Sequence, residues 1–144
     1  MDRAPNPWRI PIVDTDVIIR LLTGDDPDKQ QAARKLFEQV EQSTLTLAAP
    51  DTVIADAVFV LSSKRLYNKS RGDVRDLLTP LVKLSHFRVQ NKRAVLRALT
   101  LYAQTTLDYG DVLIVATMEQ AGASVLYSYD EKLGKAPGVT RQEP

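Results

Sequence analysis

The amino-acid sequence predicts a single α/β domain with three α/β/α layers around a mostly parallel sheet, and three observations predict it. Short β-branched runs alternate with longer amphipathic segments, an order that demands crossover connections and therefore parallel pairing. A chain of 144 residues can build one domain with a substantial core and is short for two. No repeat, low-complexity tract or linker interrupts it. Residues 1–144 read as one unit, with 1–9 a Pro-containing leader and 140–144 a tail.

The elements follow in order. Ile10 to Val13 is a short strand, limited by Pro11, which donates no ladder hydrogen bond. It runs into Asp14-Thr15-Asp16 and an apolar helix, Val17 to Leu22, that Gly24 is expected to stop. Asp25-Asp26-Pro27 starts a second helix, since Asp caps free N–H groups and Pro suits the first helical position. There Ala33, Leu36, Phe37 and Val40 share one face. Thr44 to Ala49 is a second strand, closed by Pro50, and Asp51 can cap a third helix from Thr52 to about Lys64. A fourth runs from Ser70 to Leu84, with a kink expected at Pro80. Phe87 to Gln90 is a third strand. Arg93 to Gln104 is a fifth helix with Val95, Leu99 and Tyr102 as its buried stripe. Asp108 to Gln120 is a sixth, ended by Gly122. Ser124 to Tyr129 is a last strand before a Gly- and Pro-rich tail.

Composition narrows the function by exclusion. No apolar run approaches the roughly 20 residues that span a bilayer, and Met1 to Trp8 lacks an apolar signal segment. The chain has no cysteine, which excludes disulfides and thiolate chemistry and fits a cytoplasmic location. Its one histidine, His86, cannot build a His/Cys zinc site and reads as structural or exposed. Trp8 reads as a cover for a sheet edge or subunit surface. With 19 basic and 18 acidic residues, the protein cannot hold nucleic acid by net charge, so any such activity needs a local basic surface and a specific site.

Four carboxylates stand out, Asp14, Asp56, Asp111 and Asp130. Asp14 and Asp130 follow the first and last strands, where each also reads as a cap or turn residue. Asp111 precedes the apolar run Val112 to Ala116, and with Asp108 three residues earlier it resembles a cap and its third helical residue. Asp108 reads first as a cap. Asp56 interrupts the apolar stretch Val53 to Leu61, a poor place for Asp by propensity. At the edge of an apolar stripe it calls for a positive neighbour. In an open parallel sheet, ligands bind beyond the carboxyl ends of the strands. Carboxylates converging there repel one another unless a cation neutralises them. Oxygen ligands alone select a hard ion, Mg²⁺ or Mn²⁺, and that ion supports phosphate-ester hydrolysis.

These residues also resemble the PIN domain, over nearly the whole chain from Ile10 to Val139. Asp14-Thr15-Asp16 with the helix after it resembles the family's opening motif. Val53 to Leu61, centred on Asp56, is similar to its second motif, Leu107 to Ile114 to its third, and Tyr127 to Leu133 to its closing one. The resemblance implies acids that bind Mg²⁺ or Mn²⁺ and cleave RNA. For VapC-type members it further implies a toxin inhibited by a cognate antitoxin, and it is compatible with a homodimer. Carried over, the acids are Asp14, Asp111 and Asp130, with Asp108 at a commonly acidic position and Thr15 and Ser128 as polar neighbours. The second motif usually carries Glu; Asp56 is one methylene shorter and reaches a metal less directly.

A ribonuclease must also hold phosphates, and Arg20, Lys64, Arg65, Lys69, Arg71 and Lys132 are candidates, with Tyr67 available to stack on a base. The run Lys64 to Arg71 reads equally well as a solvated helix end and loop. Two other functions compete. Ile12 to Asp16 fits the Asp-x-Asp of haloacid-dehalogenase-like phosphatases, with Thr46 and Asp130-Glu131 as weak further matches; that reading leaves Asp56 and Asp111 without a role. The other is a catalytically weak or inactive RNA- or protein-binding module, with Asp56 as its defect.

Overall fold

The computed structural model describes residues 9–144; the expectation for Trp8 lies outside them. Along the chain come α1 (Thr15–Leu22), α2 (Pro27–Glu41), β1 (Leu47–Ala49), α3 (Asp51–Ser62), α4 (Arg71–Val82) and β2 (Phe87–Val89). α5 (Lys92–Gln104), α6 (Tyr109–Ala121), β3 (Val125–Tyr127), a 3-10 turn (Glu131–Lys135) and β4 (Thr140–Gln142) complete it. The α/β class is as expected, and every strand pairing is parallel.

Among the described residues the strands form two ladders. β1 lies between β2, in the register Leu47↔Phe87, and the segment at Ile12, which pairs with Ala48. Pro11 contributes what a proline can, its carbonyl, which accepts from the Ala48 N–H at 2.9 Å. β3 pairs with β4, Val125 opposite Thr140. No strand was expected at β4. Residues 140–144 were assigned to a tail because Thr140-Arg141-Gln142 carries no apolar signal; backbone pairing with β3 orders it instead.

Several helix ends differ from expectation. α1 is stopped by Thr23 and not by Gly24: Thr23 adopts an extended backbone, and its hydroxyl lies 2.7 Å from the Ile19 carbonyl, satisfying the last turn. α2 starts as expected: Asp26 caps it, accepting from the Lys29 N–H at 3.1 Å, with Pro27 in the first turn. Asp51 is the first residue of α3 and not its cap; its carboxylate accepts from Asn91 Nδ2 at 3.0 Å. Pro80 falls in the closing turns of α4, which continues to Val82. At the end of α6, Gly122 takes the left-handed conformation expected of it, φ 71°.

The core gathers Ile18 from α1, Phe37 and Val40 from α2, Ile54 and Leu61 from α3, Leu78 from α4 and Leu99 from α5 around Phe87 of β2. Phe37 and Phe87 meet edge to face, with centroids 5.5 Å apart, the arrangement their ring quadrupoles favour. Val112, Val115 and Ala116 bury α6 in the same core. Both ends of the chain that carry candidate acids are thereby fixed to one scaffold.

Candidate active site

Asp14 ends the Ile12 strand segment and caps α1, its Oδ1 accepting the Thr15 N–H at 2.7 Å. Thr15 turns its hydroxyl to the Val53 carbonyl at 3.2 Å, tying α1 to the first turn of α3. That tie brings Asp14 and Asp56 to one cleft of about 520 Å³, walled by α1, α3 and the loop after α3. Asp14, Asp16 and Asp56 are its acids, and among the described residues Arg20 is its one cation.

Asp56 is exposed in the cleft wall. The expectation of a carboxylate at a buried edge, needing a positive neighbour, is corrected by this placement. Water solvates the group, and no ion pair involves it among the described residues.

Asp111, Asp130 and Asp108 form a second acidic group. Partial burial, then the charges of Asp130 and Asp108, push the Asp111 carboxyl above the usual carboxylate range, while nearby Lys132 pulls the other way. Asp130 starts the 3-10 turn, accepting the Lys132 N–H at 3.0 Å, while its own N–H donates to the Ser128 hydroxyl at 3.0 Å. Ser128 thus orients Asp130. Asp108 stands at the cap position of α6 and Asp111 is its third residue, as expected, but Asp108 makes no side-chain capping bond.

Asp14 with Asp56 and Asp111 with Asp130 are therefore two carboxylate groups. Among the described residues, no three acidic or histidine side chains stand close enough to enclose one ion. The donor set itself suits a hard cation, since every ligand on offer is an oxygen. The mutual repulsion recorded at Asp111 is of the kind that such a cation relieves.

The basic candidates separate. Lys64, Arg65, Lys69 and Lys132 are exposed. Arg71, proposed for RNA from its place in a charged run, is corrected to a structural role. Its guanidinium donates to the carbonyls of Tyr102 and Leu107, both at 2.8 Å, and lies 4.1 Å over the Tyr102 ring. It thereby bolts the start of α4 to the segment leading into Asp108 and Asp111. Tyr67, expected to stack on a base, donates its hydroxyl to Asp25 at 2.8 Å. Thr46 pairs with His86 Nδ1 at 3.0 Å, away from the cleft; this gives His86 the structural role expected of it and removes the Thr46 that a phosphatase reading needs. Sequence alone did not single out the buried Tyr109, whose hydroxyl has no partner among the described residues. Burial and the charge of Asp51 push its proton affinity up.

Two comparisons place the chain among known proteins. A VapC ribonuclease of Aquifex aeolicus (strain VF5) is 23% identical over 124 residues, covering 86% of this chain and 90% of that protein. The family model for the PIN domain matches residues 12–139, a span that runs from the Ile12 strand segment past Asp130 and includes all four acids. The chain belongs to the PIN domain family.

Proposed function

We propose that this protein is a Mg²⁺- or Mn²⁺-dependent endoribonuclease of the VapC type, which hydrolyses RNA phosphodiester bonds and is held in check by a cognate antitoxin. The observation that carries the reading is the pairing of acids from distant motifs: α1 and α3 bring Asp14 and Asp56 to one cleft, while Asp130 stands near enough for its charge to act on Asp111. The similarity to a VapC ribonuclease supports the same substrate class. A homodimer is compatible with it, and no helix among the described residues is long and apolar enough to cross a membrane.

In this reading the metal ligands come from two carboxylate groups, Asp14 with Asp56 at the cleft and Asp111 with Asp130, with Asp108 adding charge beside the second. The cation, when bound, supplies Lewis acidity toward a phosphoryl oxygen and an activated water. The chain's residues do the rest. Thr15 and Ser128 fix the backbone turns that orient Asp14 and Asp130. Asp56, solvated in the cleft wall, is placed to accept a proton from water. Arg20, Lys64, Arg65, Lys69 and Lys132 hold backbone phosphates.

Purified protein freed of antitoxin, incubated with a mixed RNA pool, is expected to cleave with Mn²⁺ or Mg²⁺ and not with EDTA. Asp14→Asn should abolish cleavage while circular dichroism stays that of the parent. Binding of RNA without cleavage under any metal would instead establish the inactive binding module.

A further inference from the structure

Arg20, the one cation in the acid-lined cleft among the described residues, has a carboxylate partner. Arg20 Nη1 lies 3.4 Å from Asp25 Oδ1, and Asp25 is exposed and outside the cleft lining. Two hydroxyls reach the same carboxylate. Tyr67 donates to Oδ2 at 2.8 Å, and Thr23 lies 3.0 Å from Oδ1. The single Thr23 proton is shared with the Ile19 carbonyl, which is nearer at 2.7 Å, so Tyr67 is the principal donor.

Tyr67 is itself held. Its loop is closed on the end of α3 by the N–H groups of Leu66 and Asn68 donating to the Ser63 carbonyl, at 3.0 and 2.9 Å. The Lys69 N–H donates to the Leu61 carbonyl at 2.8 Å. Asn68 takes a left-handed backbone, φ 48°, to make that turn. Tyr67, on the loop after α3, and Arg20, on α1, both line the cleft, and Asp25 touches both.

We propose that Asp25 and Tyr67 are positioning residues: a clasp between α1 and the loop after α3 that aims the Arg20 guanidinium at a substrate phosphate. The inference rests on the nuclease reading for the identity of the ligand, a phosphodiester of single-stranded RNA. The Arg20–Asp25 contact is long and half exposed, and it uses one of the five guanidinium N–H donors. The remaining donors can take a phosphate in bidentate fashion while Asp25 keeps the plane of the group fixed.

Tyr67→Phe removes the clasp's hydroxyl and leaves the ring in place. Its effect is read by fluorescence anisotropy with a short, labelled 2′-O-methyl oligoribonucleotide in EDTA. It should weaken binding about fivefold and raise KM by the same factor with kcat unchanged. Arg20→Ala should weaken binding at least as much and flatten the dependence of log K on log salt by about 0.7, the loss of one single-strand phosphate contact. Because the clasp acts through Arg20, Tyr67→Phe should add nothing in the Arg20→Ala background. Losses that add, or an unchanged KM in Tyr67→Phe, would overturn the clasp.

A second measurement keeps the clasp separate from the nuclease reading. Inorganic phosphate titrated into labelled protein should shift the Arg20 Nε–Hε resonance, and Tyr67→Phe should weaken that response. Failure to bind or cleave RNA, with the phosphate response intact, would sink the nuclease reading and leave the clasp. A response identical in parent and Tyr67→Phe would sink the clasp.

Discussion

At Asp14 and Asp130 one carboxylate oxygen closes the first turn of a helix, and the same residue stands at the end of a strand beside other acids. The bland and the functional readings of these positions, alternatives in the sequence, coexist because a capping bond uses only Oδ1. Asp111 differs, since its neighbours are unfavourable. A carboxyl raised above 3.8 by burial first and then by the charges of Asp130 and Asp108 keeps its proton to higher pH in the folded protein than in the unfolded chain. The folded state therefore binds more protons in that window, and the stability contributed by this group falls as pH rises from 3.8 through the raised value. Asp111→Asn should raise the melting temperature in EDTA at neutral pH, with the gain shrinking as pH falls toward about 4. The same variant should lose most of the stabilisation that Mn²⁺ gives the parent. An unchanged or lower melting temperature in EDTA would show that repulsion at Asp111 is already relieved. The sequence supplied these acids and their motif order, but their division into two groups depends on how α1, α3 and α6 approach, which no spacing encodes. Asp56 looked costly because its sequence neighbours are apolar; in a helix they point elsewhere.

Among the elements, those with strong apolar period were legible to within a few residues, and those held by polar contacts were not. The stripe Val95, Leu99 and Tyr102 marked α5 correctly, and all three are buried. β4, by contrast, is ordered by pairing and by Arg141, whose guanidinium donates to the Ser128 carbonyl at 2.8 Å. Arg71 shows the same limit. In a run with Lys64, Arg65 and Lys69 it looked like solvated charge, yet it joins α4, α5 and the approach to α6. Both carbonyl bonds leave from one nitrogen, Nη1, as Lys92 Nζ likewise bridges two carbonyls, and what the planar guanidinium adds is its stacking over the Tyr102 ring. Arg71→Ala, which removes both bonds, should cost about 2 kcal/mol of stability, measured by urea denaturation. It should also lower metal affinity, because the segment before Asp108 loses its anchor. A variant as stable as the parent would show that the two bonds are replaced by water at no cost.

For the molecule as a whole, Phe87 is the residue on which the layers meet, fully buried on β2 and packed edge-on to Phe37 of α2. Phe87→Ala should destabilise by about 3–5 kcal/mol, a large part of the 5–15 kcal/mol typical of a domain. The urea midpoint should drop while the slope of the transition stays constant. The α/β class was legible from alternation alone. The partition into two ladders was not, because the two-residue period of a strand says which side chains share a face and nothing about which strand lies alongside. The register itself has a consequence for the order in which the protein is made. Leu47 pairs with Phe87, about forty positions later, so at roughly 5–20 residues per second a ribosome needs about 2–8 seconds to deliver β2 after β1. Through that interval the nascent chain has only the Pro11–Val13 edge to offer β1. A pause between α3 and β2 would leave one edge of β1 open to neighbouring nascent chains.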